Sequence, residues 1–258
     1  MTPAKRAEEY RTSPYPGETP FGPFVISRGL VTPVVETAMG WELPDGTALD
    51  DWLELTDESS SRSSFVPLLS YGSNACPGRL AEKFGSLTDD LDRIAVFPVS
   101  VDGVDRVWSC QINSRNAVPA TLAASPSHRL AAHLLLLPNE LSASMDRTEG
   151  RGGRYYSACR LLMAPVELPD GSCWPLPLTY LGTARRAPLR YRGVVQRVDD
   201  VSQDAARQIV QSGDGSCAEG ALPKRSDIPS DIPLPQVVDL KNQDAAVFRF
   251  LRHGVAAG

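Results

Sequence analysis

The stretch Phe65-Val66-Pro67-Leu68-Leu69-Ser70-Tyr71-Gly72-Ser73-Asn74-Ala75-Cys76-Pro77-Gly78-Arg79-Leu80-Ala81-Glu82-Lys83-Phe84-Gly85 decides how this chain is read. Its opening, Phe65 to Leu69, is a short unbroken apolar run, the pattern of a buried strand. Pro77 to Phe84 reads as a short helix. Pro77 suits the first helical position, where a missing N–H costs nothing. Gly85 suits the C-terminal cap, where the backbone turns left-handed. Tyr71-Gly72-Ser73-Asn74 therefore joins a strand end to a helix start. A small-residue loop in that place exposes backbone N–H groups beside the positive end of a helix dipole. It can hold a carboxylate or a developing oxyanion. Gly, Ser and Asn are also ordinary turn residues, so the tetrapeptide alone is readable as a plain turn.

A second segment, Asn139-Glu-Leu-Ser-Ala-Ser-Met-Asp-Arg-Thr-Glu-Gly150, adds to it. Asn139 is a good N-cap and Gly150 a good helix stop. Leu141, Met145 and Glu149 are spaced i, i+4, i+8 and share one helix face. The two apolar residues define an inward stripe, and Glu149 continues it toward the core or a cleft. A carboxylate there must be hydrogen-bonded or keep its proton through a raised pKa. That is the environment of a general acid/base. If the last turn frays, Glu149 is simply solvated.

Taken together, these residues resemble the gamma-glutamylcyclotransferase-like family, including its butirosin-biosynthesis (gamma-glutamylamine cyclotransferase) branch. That family has a Tyr-Gly-Ser-Asn loop after its first barrel strand and a later Leu-Asp-x-x-Glu-Gly segment with a single catalytic glutamate. Here the second segment is Met145-Asp146-Arg147-Thr148-Glu149-Gly150. Val118-Pro119-Ala120-Thr121-Leu122 looks like the family's strand ending in Ala-Thr-Leu. Ser125-Pro126-Ser127 looks like its next turn, and His133 to Leu137 like its next strand. Tyr155-Tyr156 falls where the family places a tyrosine. Tyr180-Leu181 and Ala187-Pro188-Leu189-Arg190-Tyr191 look like its Tyr…Pro-x-x-Tyr stretch. The resemblance spans roughly residues 64 to 212; Met145 for leucine and the Ala75-Cys76-Pro77 continuation depart from it.

The resemblance implies a gamma-glutamyl amide whose own alpha-amine attacks its gamma-carbonyl. Closure of a five-membered lactam gives 5-oxoproline and releases an amine. The substrate carries its nucleophile, so the implied chemistry needs no cofactor and no metal. It needs one carboxylate to shuttle the proton, implied at Glu149, and a loop to hold the glutamyl head, implied at Tyr71, Gly72, Ser73 and Asn74. Tyr155 or Tyr156 would line the pocket. Holding the bent glutamyl chain is an entropy-trap contribution. Two alternatives stand beside this: a binding or interaction module that keeps the pocket without turnover, and an enzyme removing a gamma-glutamyl protecting group in natural-product biosynthesis.

Composition bounds the rest. With 258 residues, 42% hydrophobic, the chain can build a sizeable core. A net charge of −5 and no concentrated Lys/Arg run exclude a general nucleic-acid binder. The N-terminus has no apolar signal core, and the densest apolar stretch, Leu130 to Leu137, is too short to span a bilayer. A soluble, cytoplasmic protein acting on a small molecule is expected. Cys76, Cys110, Cys159, Cys173 and Cys217 are scattered and odd in number, the usage of reduced thiols. Cys76 sits at a helix start, where a thiol pKa can fall, but no histidine is placed to activate it. His128, His133 and His253 have no ligand spacing.

Three parts are expected: residues 1–62, a Pro/Gly-rich extension with a β-hairpin; residues 63–215, the family-like domain; and residues 216–258, a Pro-rich tail with a short helix, Gln243 to Arg252. Ser13 to Pro23 reads as extended or disordered. Leu43-Pro44-Asp45-Gly46 reads as a hairpin-type turn between Trp41 and Trp52, Glu58 to Ser64 as a linker, and Gly150 to Gly153 as a turn. Asp102-Gly103 and Asp170-Gly171 read as hairpin turns. Ser202 to Gln211 reads as a helix ended by Gly213. The fold class is α+β: a small mixed/antiparallel, partly closed β-barrel with flanking helices.

Overall fold

The computed structural model describes residues 5–53, 65–85, 87, 93–149, 155–162, 166–174, 177–218 and 236–239. The Glu58–Ser64 linker, Gly150 and the glycines after it, and the Gln243–Arg252 helix lie outside the described residues. The chain begins with β1 (Lys5–Arg6), the hairpin of β2 (Phe24–Ser27) and β3 (Leu30–Pro33), the hairpin of β4 (Val35–Thr37) and β5 (Gly40–Glu42), and α1 (Leu49–Trp52). Then follow β6 (Phe65–Ser70), α2 (Pro77–Phe84), β7 (Ile94–Trp108), β8 (Ala120–Pro138) and α3 (Asn139–Glu149). After these come β9 (Tyr156–Leu162), β10 (Val166–Glu167), β11 (Cys173–Trp174), β12 (Leu178–Gly182), β13 (Leu189–Tyr191) and β14 (Val194–Val195). The last elements are α4 (Gln203–Ser212), β15 (Ser216–Cys217) and β16 (Gln236–Asp239).

The fold is α+β, with few helices on a large mixed sheet. Among the described residues eleven strands share that sheet, in the order β1-β3-β2-β7-β8-β6-β12-β9-β16, with β10 paired to β7 and β11 to β10. Among the described residues no pairing joins the two ends of this path. β6 lies between β8, which it pairs antiparallel, and β12, which it pairs parallel. A strand covered on both faces has no solvent side, which is why Phe65–Leu69 does not alternate. All six β6 residues are buried. Phe65 and Leu69 enter one core, with Leu43, Leu49 and Leu53; Val66 and Leu68 enter the other, with Leu80 of α2 and Met145 of α3. Met145 is 0% exposed, burial worth about 1.5–3 kcal/mol.

The local signals of α2 and α4 hold, whereas Asn139 is the first residue of α3 rather than its N-cap. Pro77 occupies the first position of α2, and Gly85 caps it at φ 76°. α3 runs Asn139–Glu149 directly from β8. α4 is capped by the Ser202 hydroxyl, which accepts from the Ala205 N–H, and ends at Gly213 in the left-handed region. Asp170-Gly171 turns between β10 and β11, and Leu43 to Gly46 closes a turn after β5. Trp52, however, lies on α1 rather than on a second hairpin strand.

Other expectations are corrected. Asp102-Gly103 is no hairpin turn: the β7–β8 register shifts between Asp102 and Val104, a bulge with Gly103 at φ 80°. Ser125-Pro126-Ser127 is likewise no turn between strands. It lies within β8, on the partner side of the same irregularity, where Arg129 faces Asp102 and Ala124 faces Val104. Ser13–Pro23 is neither simply extended nor disordered. Gly17 N donates to Pro14 O and Glu18 N to Arg11 O, both at 2.8 Å. These bonds place the Tyr15 ring against Trp108, 5.6 Å between centroids.

The cysteines are not all reduced thiols. Cys110 and Cys217, 107 residues apart in sequence, form a disulfide. Cys110 N bonds to Ala187 O, and Cys217 pairs with Leu189, so both cysteines are brought to β13. Scattered spacing carries no record of that convergence. No described helix is long and apolar enough to cross a membrane.

Candidate active site

The loop after β6 and the end of α3 open onto one cleft of about 1040 Å³. All seven residues singled out from the sequence line it: Tyr71, Gly72, Ser73, Asn74, Glu149, Tyr155 and Tyr156. Two helices position the centre. On α3 the Leu141–Met145–Glu149 stripe runs inward as spaced, and the Glu149 side chain is 14% exposed. On α2, Cys76, Leu80 and Lys83 form an equivalent stripe at i, i+4, i+7, and Lys83 is 16% exposed. Where α2 packs on α3, Lys83 Nζ meets Glu149 Oε1 in an ion pair. Lys83 also donates to Asn74 Oδ1 at 2.6 Å, and Asn74 Nδ2 donates to Glu149 Oε1 at 3.2 Å. Loop amide, carboxylate and ammonium thus close a triangle. The sequence reading missed Lys83; the periodicity that marked Glu149 would have marked it too.

Tyrosines build the wall. The Tyr71 hydroxyl donates to the Tyr180 carbonyl, and the Tyr180 hydroxyl donates to Asp146 Oδ1 at 2.6 Å. One residue of β12 therefore ties the loop to α3 on the helix turn that carries Glu149. The Tyr156 hydroxyl donates to Ala120 O at 2.9 Å. Burial raises the pKa of Tyr71 and Tyr156 well above that of an exposed phenol, and the Glu149 charge adds to the rise at both. Tyr155 lies under the Arg186 guanidinium, 5.1 Å from ring centroid to carbon. Both tyrosines of the Tyr155-Tyr156 pair therefore face the cleft region.

The fourth wall comes from the N-terminal segment, a contribution sequence reasoning did not assign. Ser13, Pro14 and Tyr15 line the cleft, and Arg79 Nη2 bonds to Thr12 O at 2.7 Å, tying this strap to α2. Burial, opposed by Arg106, pushes the Tyr15 hydroxyl up to about 12. A Cβ on Gly72 would sit 2.5 Å from the Tyr15 hydroxyl oxygen, so a larger residue here must displace the Tyr15 ring. Trp41 and Trp52 do not line the cleft. Trp41 packs edge-on against Phe97 and donates to Asp170 Oδ2 at 3.1 Å.

Cys76 lies at the start of α2, but burial raises its thiol pKa and its Sγ faces Arg11 O, so it is a packing residue. Among the described residues, no group of three or more His, Cys, Asp or Glu side chains is placed to hold a metal ion. Chemically, the site offers one carboxylate of low exposure, an amide and an ammonium around it, and a tyrosine wall.

No protein-family model matches the chain, and no curated protein matches its sequence. Among solved structures, the chain is similar to one described as gamma-glutamyl cyclotransferase (18% identity, 46% of this chain and 67% of that one, TM-score 0.37). It is also similar to an uncharacterized protein from Homo sapiens (18% identity, 46% and 68%, TM-score 0.39) and to YkqA from Bacillus subtilis (17% identity, 77% and 72%, TM-score 0.36).

Proposed function

We propose that the protein cleaves a gamma-glutamyl amide by intramolecular aminolysis. The alpha-amine nitrogen of the glutamyl group attacks its own gamma-carbonyl carbon, forming the lactam C–N bond. The C–N bond to the departing amine breaks, giving 5-oxoproline and a free amine. Glu149 takes the proton from the attacking nitrogen and returns it to the leaving one. The Tyr71–Asn74 loop and its neighbouring helix start face the oxyanion, and the cleft holds the glutamyl chain bent. The observation that carries this reading is the meeting of Asn74 and Glu149 in one cleft. The motif resemblance assigns these two positions the same roles. Incubation with a panel of gamma-glutamyl amides, followed by mass spectrometry, tests it: 5-oxoproline should form with wild type and about 10²- to 10⁴-fold more slowly with Glu149→Gln. Absence of 5-oxoproline across dipeptide, alkylamine and lysine-side-chain amides would reject it.

One observation favours a second reading. Lys83 gives Glu149 an ion-pair partner, so a carboxylate in this place also suits a binding module without turnover. Saturable binding of gamma-glutamyl amides with no 5-oxoproline formed would select that reading.

A further inference from the structure

Among the described residues, charge in the cleft is not balanced: Arg79, Lys83, Arg115, Arg185, Arg186 and Arg207 line it, against three carboxylates, Glu82, Glu149 and Asp204. Arg79 and Arg115 share Glu82 at 2.8 and 2.9 Å, Lys83 pairs with Glu149, and Arg207 with Asp204 at 2.7 Å. Arg185 and Arg186 have no carboxylate partner among the described residues.

Arg186 is the informative one of these two. It is only 5% exposed. Its Nη1 donates to the Gln111 carbonyl at 2.6 Å, its Cζ lies 5.1 Å from the Tyr155 ring centroid, and its Nε is buried without a partner among the described residues. A guanidinium carries five donors, and among the described residues one of them is used. Burying such a cation with a carbonyl and a ring face for company, but no counter-charge, is unfavourable, and its pKa is lowered by that burial. The deficit is reduced if an anion in the cleft accepts from the guanidinium N–H groups that the Gln111 carbonyl leaves free. The planar fork matches a carboxylate bidentately.

We infer that Arg186 is a carboxylate clamp of the cleft, selecting ligands that carry a carboxylate over otherwise identical neutral ones. For the identity of the ligand this rests on the gamma-glutamyl reading. Tyr156 feels both the Glu149 and the Arg186 charge, and all three residues line the same cleft. Two carboxylates of that substrate class present the same chemistry: the alpha-carboxylate of the glutamyl head, or a carboxylate on the departing amine.

Calorimetric titration of acid/neutral pairs separates them. The first pair is 5-oxoproline and its carboxamide. The second is gamma-glutamylglycine and gamma-glutamylethylamine, titrated into the Glu149→Gln protein so that nothing turns over. In at least one pair the acid should bind about 10- to 100-fold more tightly, and Arg186→Gln should abolish the margin. A margin in the first pair assigns the head carboxylate; a margin in the second alone assigns the departing amine. Arg186→Lys keeps the charge without the fork and should retain part of the margin, which serves where the Gln variant does not fold. Equal affinities within both pairs in the Arg186 protein overturn the clamp, as does a margin unchanged in a folded Arg186 variant. Glutarate separates the clamp from the function: Arg186-dependent glutarate binding without binding of any glutamyl probe keeps the clamp and removes the gamma-glutamyl reading. Release of 5-oxoproline with no acid/neutral margin does the reverse. No binding of any probe, glutarate included, overturns the clamp.

Discussion

Asn74 and Glu149, 75 residues apart in sequence, share a hydrogen bond: Asn74 Nδ2 donates to Glu149 Oε1 at 3.2 Å. The loop residue is thereby held on the oxygen that also receives Lys83. On the proposed reading, an amide entering between loop and helix would meet a carboxylate already oriented by two donors, the kind of positioning that lowers a barrier.

Replacing that carboxylate tests the assignment directly. Glu149→Gln should keep the hydrogen bond to Asn74 and the fold, yet slow 5-oxoproline release about 10²- to 10⁴-fold. The check is kcat/KM on any amide that wild type turns over, beside far-UV circular dichroism. A variant within threefold of wild type would remove Glu149 from the chemistry.

The Lys83–Glu149 pair is mostly buried, so removing one charge leaves the other uncompensated. Lys83→Met and Glu149→Gln should each cost about 1–3 kcal/mol of stability, discounted for the open cleft. The double variant should lose less than the sum. Urea unfolding of the four proteins closes the cycle, and strict additivity would mean that the pair is not coupled.

Gly72 and Tyr15 are predicted to be coupled by overlap. Gly72→Ala should cost about 1–3 kcal/mol, because the new methyl meets the buried Tyr15 hydroxyl. Tyr15→Phe in the same background should restore part of it by removing the obstructing atom. If Gly72→Ala alone matched wild type in thermal melts, the strap would be looser than its packing on Trp108 requires.

The Cys110–Cys217 bond closes a loop of 107 residues, the regime in which a cross-link restricts the unfolded chain most. Reduction, or Cys110→Ser with Cys217→Ser, should lower stability by about 2–5 kcal/mol. Thiol titration of the denatured, unreduced protein should find three free thiols, at Cys76, Cys159 and Cys173. Five would show that the bridge does not form.

His133 supplies a pH dependence. Burial, with the Arg106 charge behind it, pulls its pKa down to about 4 from an ordinary 6.5. Between those values the unfolded chain binds a proton that the folded one refuses, so stability rises with pH across this window. The contribution is complete above pH 6.5 and fades toward pH 4, about 3 kcal/mol in all. His133→Gln should flatten the slope of unfolding free energy between pH 4.5 and 7; an unchanged slope would place the dependence on other groups.

Much of this architecture was legible along the chain. Phe65–Leu69, the Pro77 start and Gly85 stop of α2, the Ser202 cap and Gly213 stop of α4, and the inward Leu141–Met145–Glu149 face are all written within a few residues. Capping, positive φ and helical period act over that range, so composition at fixed offsets decides them. The convergence of the Tyr71–Asn74 loop with Glu149 came from motif resemblance, not from periodicity.

What the linear order did not carry is everything set by pairing between distant segments. Asp102-Gly103 has the composition of a hairpin turn, yet the β7–β8 register makes it a bulge, because fifteen-residue β7 continues past it on the same partner. Tyr15 sits in a Pro-rich run with no periodicity, and only docking against Trp108 and Gly72 makes it a wall of the cleft. Lys83 finds Glu149, and Cys110 finds Cys217, only once the sheet has brought their elements together. Local preferences are energies of neighbouring residues and survive in the sequence; a contact across the fold is a property of geometry, and it exists only after the strands have chosen their partners.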